Sequence, residues 1–599
     1  MTKTRASRPP ALVPLSPARF RLVLVMIIIA FAVLSGRLFY WQVVKSVSLQ
    51  IKAQEQYQQT QRLTGQRGSI YTEDGYLLVG NKTVYRLFVE PPLVTTNPQQ
   101  LSSLLSPYVA SDSVAFQEAS EAAVKAEILT TTQHELETKL ARPNMKWVGL
   151  ASALTSTTKE AIERLDIKGI GFEPYFTRYY PQASMAAHVT GFVGKNDEGI
   201  ETGYFGVEGA LDQELKGRTT KHILETDALG IPFLNSNQST PTYQDGRDVT
   251  LTIRRDVQFT VEELLKKGVE RYGAKSGEVI VMEPSTGNVV ALATWPHYDQ
   301  QQFFKYPTDL YKNPTLSESY EPGSTFKTLT VSAGIEEKKI TPDTVCPICD
   351  QARAINGYNI KTWNNQYNPQ VSMRDALAKS DNVAMTYIAE QLGSDVFERY
   401  LHAFKIGEKV GIDLQEDRGS PFPSKWGPVE LFTRSFGQGI TTNSLQLIKA
   451  VSVIANKGVM MKPTIVKKVV DPATQQELTV TPQSEGQIIS PETAKQVTEM
   501  MVHAAQKGEA QWIASHKYVV AAKTGTSQVV ENGVYSSDKT ITSFIGFTPA
   551  DEPKFIMLVK LVEPTSSPWA AETAAPLWYQ IADRLALYFQ LVPLPGSQM

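Results

Sequence analysis

A chain of 599 residues, 42% hydrophobic and 20% charged, is long enough for several domains and too apolar for wholesale disorder. Its 59 Lys and Arg against 61 Asp and Glu leave a formal charge of −2, without the basic field of a nucleic-acid binder. Two cysteines and seven histidines, none in an H-E-x-x-H pair, exclude a disulfide scaffold, an iron–sulfur protein and most metal hydrolases.

Five basic residues (Lys3, Arg5, Arg8, Arg19, Arg21) precede the uncharged run Leu22–Gly36, and the first acidic residue is Glu55. With Arg21 and Arg37 snorkelling, Phe20 to Trp41 is long enough to span a bilayer core of ~30 Å. The positive-inside rule puts the N-terminus in the cytoplasm and the chain beyond about residue 45 outside. A cleaved signal peptide competes, since Ala30-Phe31-Ala32 mimics a cleavage site, but Val33-Leu34 carries the apolar run past it. A tail over 1–19 and an uncleaved, single-pass anchor over 20–44 are therefore expected.

Ser46 to about Gln61 reads as a polar, Gln-rich helical stalk. Gly65–Ile70 and Glu73-Asp74-Gly75 mark strands joined by a turn, and residues 96–170 have helical periodicity. The polar stretch Asn235–Pro241 and Asp245-Gly246 place a boundary near 245, between a module (45–245) and a larger domain (246–599). Beyond it come a strand (Asp248–Ile253), a long helix (Asp256–Tyr272) and a hairpin (Gly277–Met282 with Asn288–Thr294). Near the far end are strands at Tyr518–Ala522, Ile541–Phe547 and Phe555–Val562, then a helix (Ala575–Phe589). Strands at both ends of a helical middle predict one antiparallel sheet closed by the termini of its domain.

Ser324-Thr325-Phe326-Lys327 opens a helix-like run, and Ser and Lys at i and i+3 share one helix face. A serine hydroxyl needs a base, and a lysine serves only if burial or a second cation lowers its pKa. Ser156–Lys159 and Ser536–Lys539 match the same pattern and read as surface accidents. Ser380-Asp381-Asn382 can place a hydroxyl and a carboxamide in one cleft, although a plain helix cap explains it equally. Lys523-Thr524-Gly525-Thr526 ends a strand. Its lysine and threonines suit a carboxylate, Gly525 leaves space for a ligand backbone, and the N–H groups of Thr526 and Ser324 can form an oxyanion hole.

In this order, within one domain, the three elements resemble those of class A β-lactamases and penicillin-binding proteins. The whole chain resembles a class B penicillin-binding protein, a peptidoglycan D,D-transpeptidase. Arg67–Ile70, Arg178–Pro181, Ala187–Gly191 and Gly206–Glu208 look like that family's non-catalytic module, and Phe436–Ile440 and Leu445–Leu447 like its catalytic domain. Tyr320-Glu321-Pro322-Gly323 is closer to the division type than to the elongation type. Thr72–Gly75 departs from the family's usual Asp-Arg-x-Gly turn.

The resemblance implies an α+β architecture: a transmembrane helix, an elongated α+β pedestal, and a transpeptidase domain with a flanked antiparallel sheet and an all-helical subdomain. It implies that Ser324 attacks a D-Ala-D-Ala amide and passes the acyl group to an amine of a neighbouring stem. Lys327 is then the base, Ser380 the proton relay, Asn382 the orienting amide, and Lys523, Thr524, Gly525 and Thr526 the site of the terminal carboxylate. No metal or cofactor is implied. The implied partners are lipid II-derived peptidoglycan strands, β-lactams, a multi-pass SEDS-type glycosyltransferase and division proteins, with no nucleic acid. A D,D-carboxypeptidase and a catalytically silent scaffold or sensor are the alternatives.

Four further expectations follow. Cys346 and Cys349 are either a local disulfide or free thiols. His188 and His297 are structural. Glu416-Asp417 is an exposed turn, which leaves a β-lactamase without its base for water. Removal of 48–245 is expected to leave some penicillin acylation.

Overall fold

The computed structural model of the chain describes residues 16–142, 145–225, 244–531 and 533–595. The basic residues Lys3, Arg5 and Arg8 and the polar stretch 235–241 lie outside them.

Two units divide the chain. The first comprises residues up to Gly65 together with Arg218–Gln244. Its helix Pro17–Phe39 starts with Pro17, whose missing N–H costs nothing there. The helix continues through a π turn at Tyr40–Val44. Among the described residues, Pro17–Val44 is the one helix long and apolar enough to cross a membrane, 28 residues with none buried. Only part of the stalk is helical (Ser46–Tyr57). From Gln58 the chain becomes a strand, because Gln58–Thr64 pairs with Thr219–Glu225. That partner lies too far along the chain to show in local periodicity.

The second unit comprises Gln66–Gly217 and Asp245 onward. It begins with β1 (Ile70–Tyr71), β2 (Leu77–Val89), β3 (Val148–Leu154) and β4 (Ile170–Tyr179). Strand β3 interrupts the stretch expected to be helical; it pairs with β2. Helices Pro98–Ser111 and Ala122–Leu140 cover this end of the sheet, where Leu87, Leu101, Leu105, Leu136 and Leu150 form a separate core. At the other end the resemblance-bearing segments converge. Glu208, fully buried, accepts from Arg67 Nε at 2.6 Å and Arg178 Nε at 2.7 Å. Arg67 Nη1 also reaches Asp212 at 2.7 Å. Two arginines around one buried carboxylate compensate its desolvation.

Strand β5 (Asp248–Leu251) does not join the catalytic sheet. It runs parallel to β1 and antiparallel to Val466–Val470. The segment before residue 218 thus shares one core with the catalytic part: Ile70, Val79, Val189, Val207 and Leu215 cluster with Val249, Leu251, Phe326 and Ile448. The module expected over 45–245 is not one packing unit, because its residues 66–217 pack with the catalytic part. Removal of 48–245 therefore cuts a core rather than a linker.

The catalytic sheet comprises β6 (Ser276–Met282), β7 (Val289–Trp295), β8 (Ala521–Glu531), β9 (Val534–Thr548) and β10 (Phe555–Val562), in the antiparallel order β7-β6-β10-β9-β8. Alternation buries both faces. Val279 and Val281 face helices α1 (Arg255–Tyr272) and, at the far end of the chain, Ala574–Tyr588. Ile280 and Met282 face the helical subdomain. That subdomain contains α2 (Lys327–Glu336), α3 (Met373–Ala378), α4 (Asn382–Leu392), α5 (Ser444–Ala455) and α6 (Pro491–Lys507). Both faces of the sheet are covered, as the expected layering requires.

Candidate active site

The segment that carries Ser324 is fixed from both ends. Tyr320 exchanges backbone hydrogen bonds with Thr442 at 2.9 Å each way. A 3-10 turn (Gly323–Phe326) then leads into α2, which is buried from Lys327 to Ile335. Gly323 has φ +56°, and a Cβ there would come within 2.8 Å of Thr526 O. A Cβ on Gly437 would meet Gly323 O at 2.2 Å. The two glycines let the Phe436–Ile440 turn and β8 close on the segment that carries Ser324. Ser324 itself stays partly exposed at the head of the helix.

Lys327 is wholly buried. Its Nζ donates to Ser380 O at 2.6 Å, Asn382 Oδ1 at 2.7 Å and Ser380 Oγ at 3.2 Å, and not to Ser324. Burial first, and the neighbouring Lys523 second, lower its pKa to about 7. Ser380 sits at φ +56°, a left-handed conformation that costs a residue with a Cβ roughly 1–2 kcal/mol. This kink turns the chain from α3 into α4 and presents Ser380 to both lysines. Asp381 is the helix cap, accepting from Val383 N and Ala384 N. Asp381 supplies the cap, while the Ser380 hydroxyl and the Asn382 amide oxygen turn to Lys327. Asn382 Nδ2 donates to Lys361 O at 2.9 Å.

Lys523–Thr526 lie inside β8, not at the end of a strand, because β9 pairs with them continuously (Thr524↔Phe544, Gly525↔Ser543, Thr526↔Thr542). Lys523 Nζ reaches Ser380 Oγ at 3.2 Å and Thr524 Oγ1 at 2.9 Å, and burial lowers its pKa as well. Two predicted details change. The space beside Gly525 is filled by the protein, since a Cβ would meet Ser543 Oγ at 2.5 Å and Thr325 Cγ2 at 2.7 Å. Its absence brings β8 against the nucleophile turn. The Thr524 hydroxyl gives its one hydrogen to Glu509 Oε2 at 2.8 Å, so it has none left for a carboxylate. Thr526 Oγ1 accepts from Ala570 N at 3.2 Å and keeps its hydrogen.

Other expected features fall away from the cleft. Lys159 pairs with Glu163 and Lys539 with Glu531, so the two decoy Ser–Lys patterns are surface pairs. Glu416 is buried, contrary to the exposed turn expected; it accepts from Gly206 N at 3.0 Å and Asn313 N at 3.2 Å. Asp417 accepts from Val410 N and Gly411 N. Cys346 and Cys349 are joined in a disulfide. His188 is buried between Leu310 O (2.8 Å) and Thr294 Oγ1 (2.5 Å), with burial lowering its pKa to about 4. Burial also lowers that of His297.

Three groups at the cleft had no sequence signal: Glu509, the Glu321–Tyr535 contact at 3.1 Å, and a ring contact between Trp363 and Trp569 at 5.1 Å. Trp363 lies two residues from Lys361, on the Asn382 wall, and Trp569 adjoins Ala570, on the Thr526 wall. Their contact therefore joins the two sides of the cleft.

A serine at the head of a buried helix, with two buried lysines meeting at a second serine beside an antiparallel strand, defines a serine acyl-transfer site. The family model of the penicillin-binding protein transpeptidase domain matches residues 277–583, just over half of the chain, and that of the penicillin-binding protein dimerisation domain matches residues 62–251. The chain belongs to the penicillin-binding protein transpeptidase family, with the domain arrangement of class B. It is 29% identical to stage V sporulation protein D of Bacillus subtilis over 93% of this chain and 84% of that one. It is 26% identical to the peptidoglycan D,D-transpeptidase FtsI of Escherichia coli, over 94% of this chain and 90% of that one. The crystal structure of penicillin-binding protein 2X from Streptococcus thermophilus has the same fold, with a TM-score of 0.71 at 21% identity, over 89% of this chain and 81% of that one.

Proposed function

We propose that this protein cross-links peptidoglycan stem peptides by D,D-transpeptidation, and that β-lactams inhibit it by acylating Ser324. The observation that carries the reading is the meeting of Lys327 and Lys523 at Ser380. Burial first and the charge of Lys523 second lower the Lys327 pKa to about 7, so near neutral pH its amine is free in a large share of molecules and can act as base. Lys327 takes the Ser324 proton, and the alkoxide attacks the D-Ala-D-Ala carbonyl. Ser380 Oγ, in contact with both lysines, relays the proton to the leaving D-Ala amine. Asn382 holds the peptide, while Lys523 and the free hydrogen of the Thr526 hydroxyl bind the terminal carboxylate. In this reading the N–H groups of Ser324 and Thr526 stabilise the oxyanion together. An amine of a second stem then attacks the ester and restores Ser324.

The apolar helix Pro17–Val44 serves as a single-pass anchor with the N-terminus in the cytoplasm and the catalytic domain outside. The Tyr320–Gly323 segment and the FtsI relative favour septal synthesis, beside a SEDS-type glycosyltransferase and division proteins. A fluorescent penicillin should label the wild type at one residue, and Ser324→Ala should abolish labelling without loss of fold. Lipid II supplied with its polymerase should yield cross-linked muropeptides only with intact Ser324. Labelling that survives Ser324→Ala refutes the assignment. Trimmed but uncrossed stems make the enzyme a carboxypeptidase.

A further inference from the structure

Among the described residues, Glu509 is the one carboxylate tied to the lysines of the cleft by a hydroxyl. It stands two residues beyond α6, half-buried, and its Oε2 accepts the Thr524 hydroxyl hydrogen at 2.8 Å. Thr524 Oγ1 in turn accepts from Lys523 Nζ at 2.9 Å. Lys523 Nζ and Lys327 Nζ each reach Ser380 Oγ at 3.2 Å. One line of hydrogen bonds thus runs from the carboxylate to Lys523, and only through Ser380 to Lys327. Two buried lysines meeting at one hydroxyl would otherwise compete for a single positive charge.

We propose that Glu509 is a positioning residue of this cleft: bound through the Thr524 hydroxyl, it holds Lys523 as the lasting cation and leaves Lys327 as the amine that accepts the Ser324 proton. The inference rests on the transpeptidase reading and adds to it the reason why the two lysines take different roles. Electrostatic attraction falls with distance, so the carboxylate favours charge on the lysine nearer to it. The other charged groups facing Lys327 are Lys523 on β8 and Asp381 ahead of α4. Asp381 is occupied as the helix cap. Glu509 acts on both lysines and raises both pKa values against the lowering by burial. Loss of its charge therefore moves both downward, Lys523 included.

The test is the rate of acylation by benzylpenicillin, a carboxylate-bearing ligand, from pH 5 to 10 on the full chain in detergent. The wild type should give a bell, with an acid limb set by Lys327 and an alkaline limb set by Lys523. Glu509→Gln should move both limbs to lower pH by at least about half a unit, and Glu509→Asp should restore them. Thr524→Val, which cuts the link but keeps the charge, should move the alkaline limb in the same direction by less, and it decides the matter if Glu509→Gln does not fold. Limbs that stay in place while the rate falls uniformly make Glu509 merely structural and overturn the proposal. A longer-lived acyl-enzyme with fixed limbs makes it a base for water, which also overturns it. A wild type that is never acylated sinks the transpeptidase reading itself; superimposable profiles sink only this inference.

Discussion

Lys327 in its ammonium form has three hydrogens for three acceptors, Ser380 O, Ser380 Oγ and Asn382 Oδ1. Deprotonation releases one of these contacts and leaves a lone pair for the Ser324 hydroxyl. Burial and Lys523 place that change at about pH 7, well below an ordinary lysine. Below this value Lys327 is charged and cannot accept a proton; above it the amine is free to act. Acylation should therefore fall about tenfold per pH unit below 7 and level off above it, until Lys523 begins to lose its charge. Stopped-flow labelling measures this directly, and a flat rate from about pH 5 to 9 removes Lys327 from the role of base. The residues proposed for this chemistry stand out in the sequence because nucleophile, base and relay need particular residue types in particular local settings. Glu509 was not, since only the path of the loop after α6 brings it to Thr524. Glu416 was misread for a related reason. Beside Asp417, Arg418 and Gly419 it looks like a surface turn, whereas its backbone partners Gly206 and Asn313 lie far away in sequence.

Among the elements, those with a strong internal period or a local partner were the most legible. The hairpin β6–β7, the long helix α1 and the last strand each lie within a residue or two of the predicted spans. Elements whose identity depends on a distant partner were not: Gln58–Thr64 became a strand through Thr219–Glu225, and β3 through β2. The same holds for β8, whose pairing with β9 runs through Lys523–Thr526 and turns a presumed strand end into its middle. The contact between Trp363 and Trp569 belongs to this scale as well, because it joins loops from opposite walls of the cleft. Both tryptophans are also exposed, by 46% and 40%. A bulky ligand held between Asn382 and Thr526 is expected to meet this contact. Acylation by a cephalosporin with a bulky side chain should change tryptophan fluorescence, and Trp363→Phe should remove most of the change. An emission spectrum unaltered by acylation in the wild type means that the rings do not move.

For the molecule as a whole, the shared core and the separate one set opposite outcomes for two deletions. Removing 66–217 takes Ile70, Val79, Val189, Val207 and Leu215 out of the core that also holds Val249 and Leu251. At roughly 1.5–3 kcal/mol for each fully buried side chain, the loss is on the order of 10 kcal/mol, comparable to the whole stability of a domain. It also takes the β1 partner from β5 and the Ala186 N–H from the half-buried carboxyl of Glu262. Residues 246–599 alone should therefore fail to fold, and penicillin labelling should vanish with the cooperative melt. The distal end is different. Leu101, Leu105, Leu136 and Leu150 pack among themselves, and the two ends of the segment meet where Glu90 N donates to Gly169 O at 2.7 Å and Val89 pairs with Ile170. A short hairpin turn replacing 91–168 closes β2 onto β4 without moving either strand. Leu87 and Val89 lose their cover and need polar replacements such as Thr, which also guards the newly bared edge of β2. This shortened protein should melt cooperatively and label at Ser324 at a rate within about threefold of the wild type, as expected for a segment with its own core. If it fails to label while remaining folded, the distal end reaches the active site through the sheet. If residues 246–599 fold and label on their own, the shared core contributes far less than its burial implies.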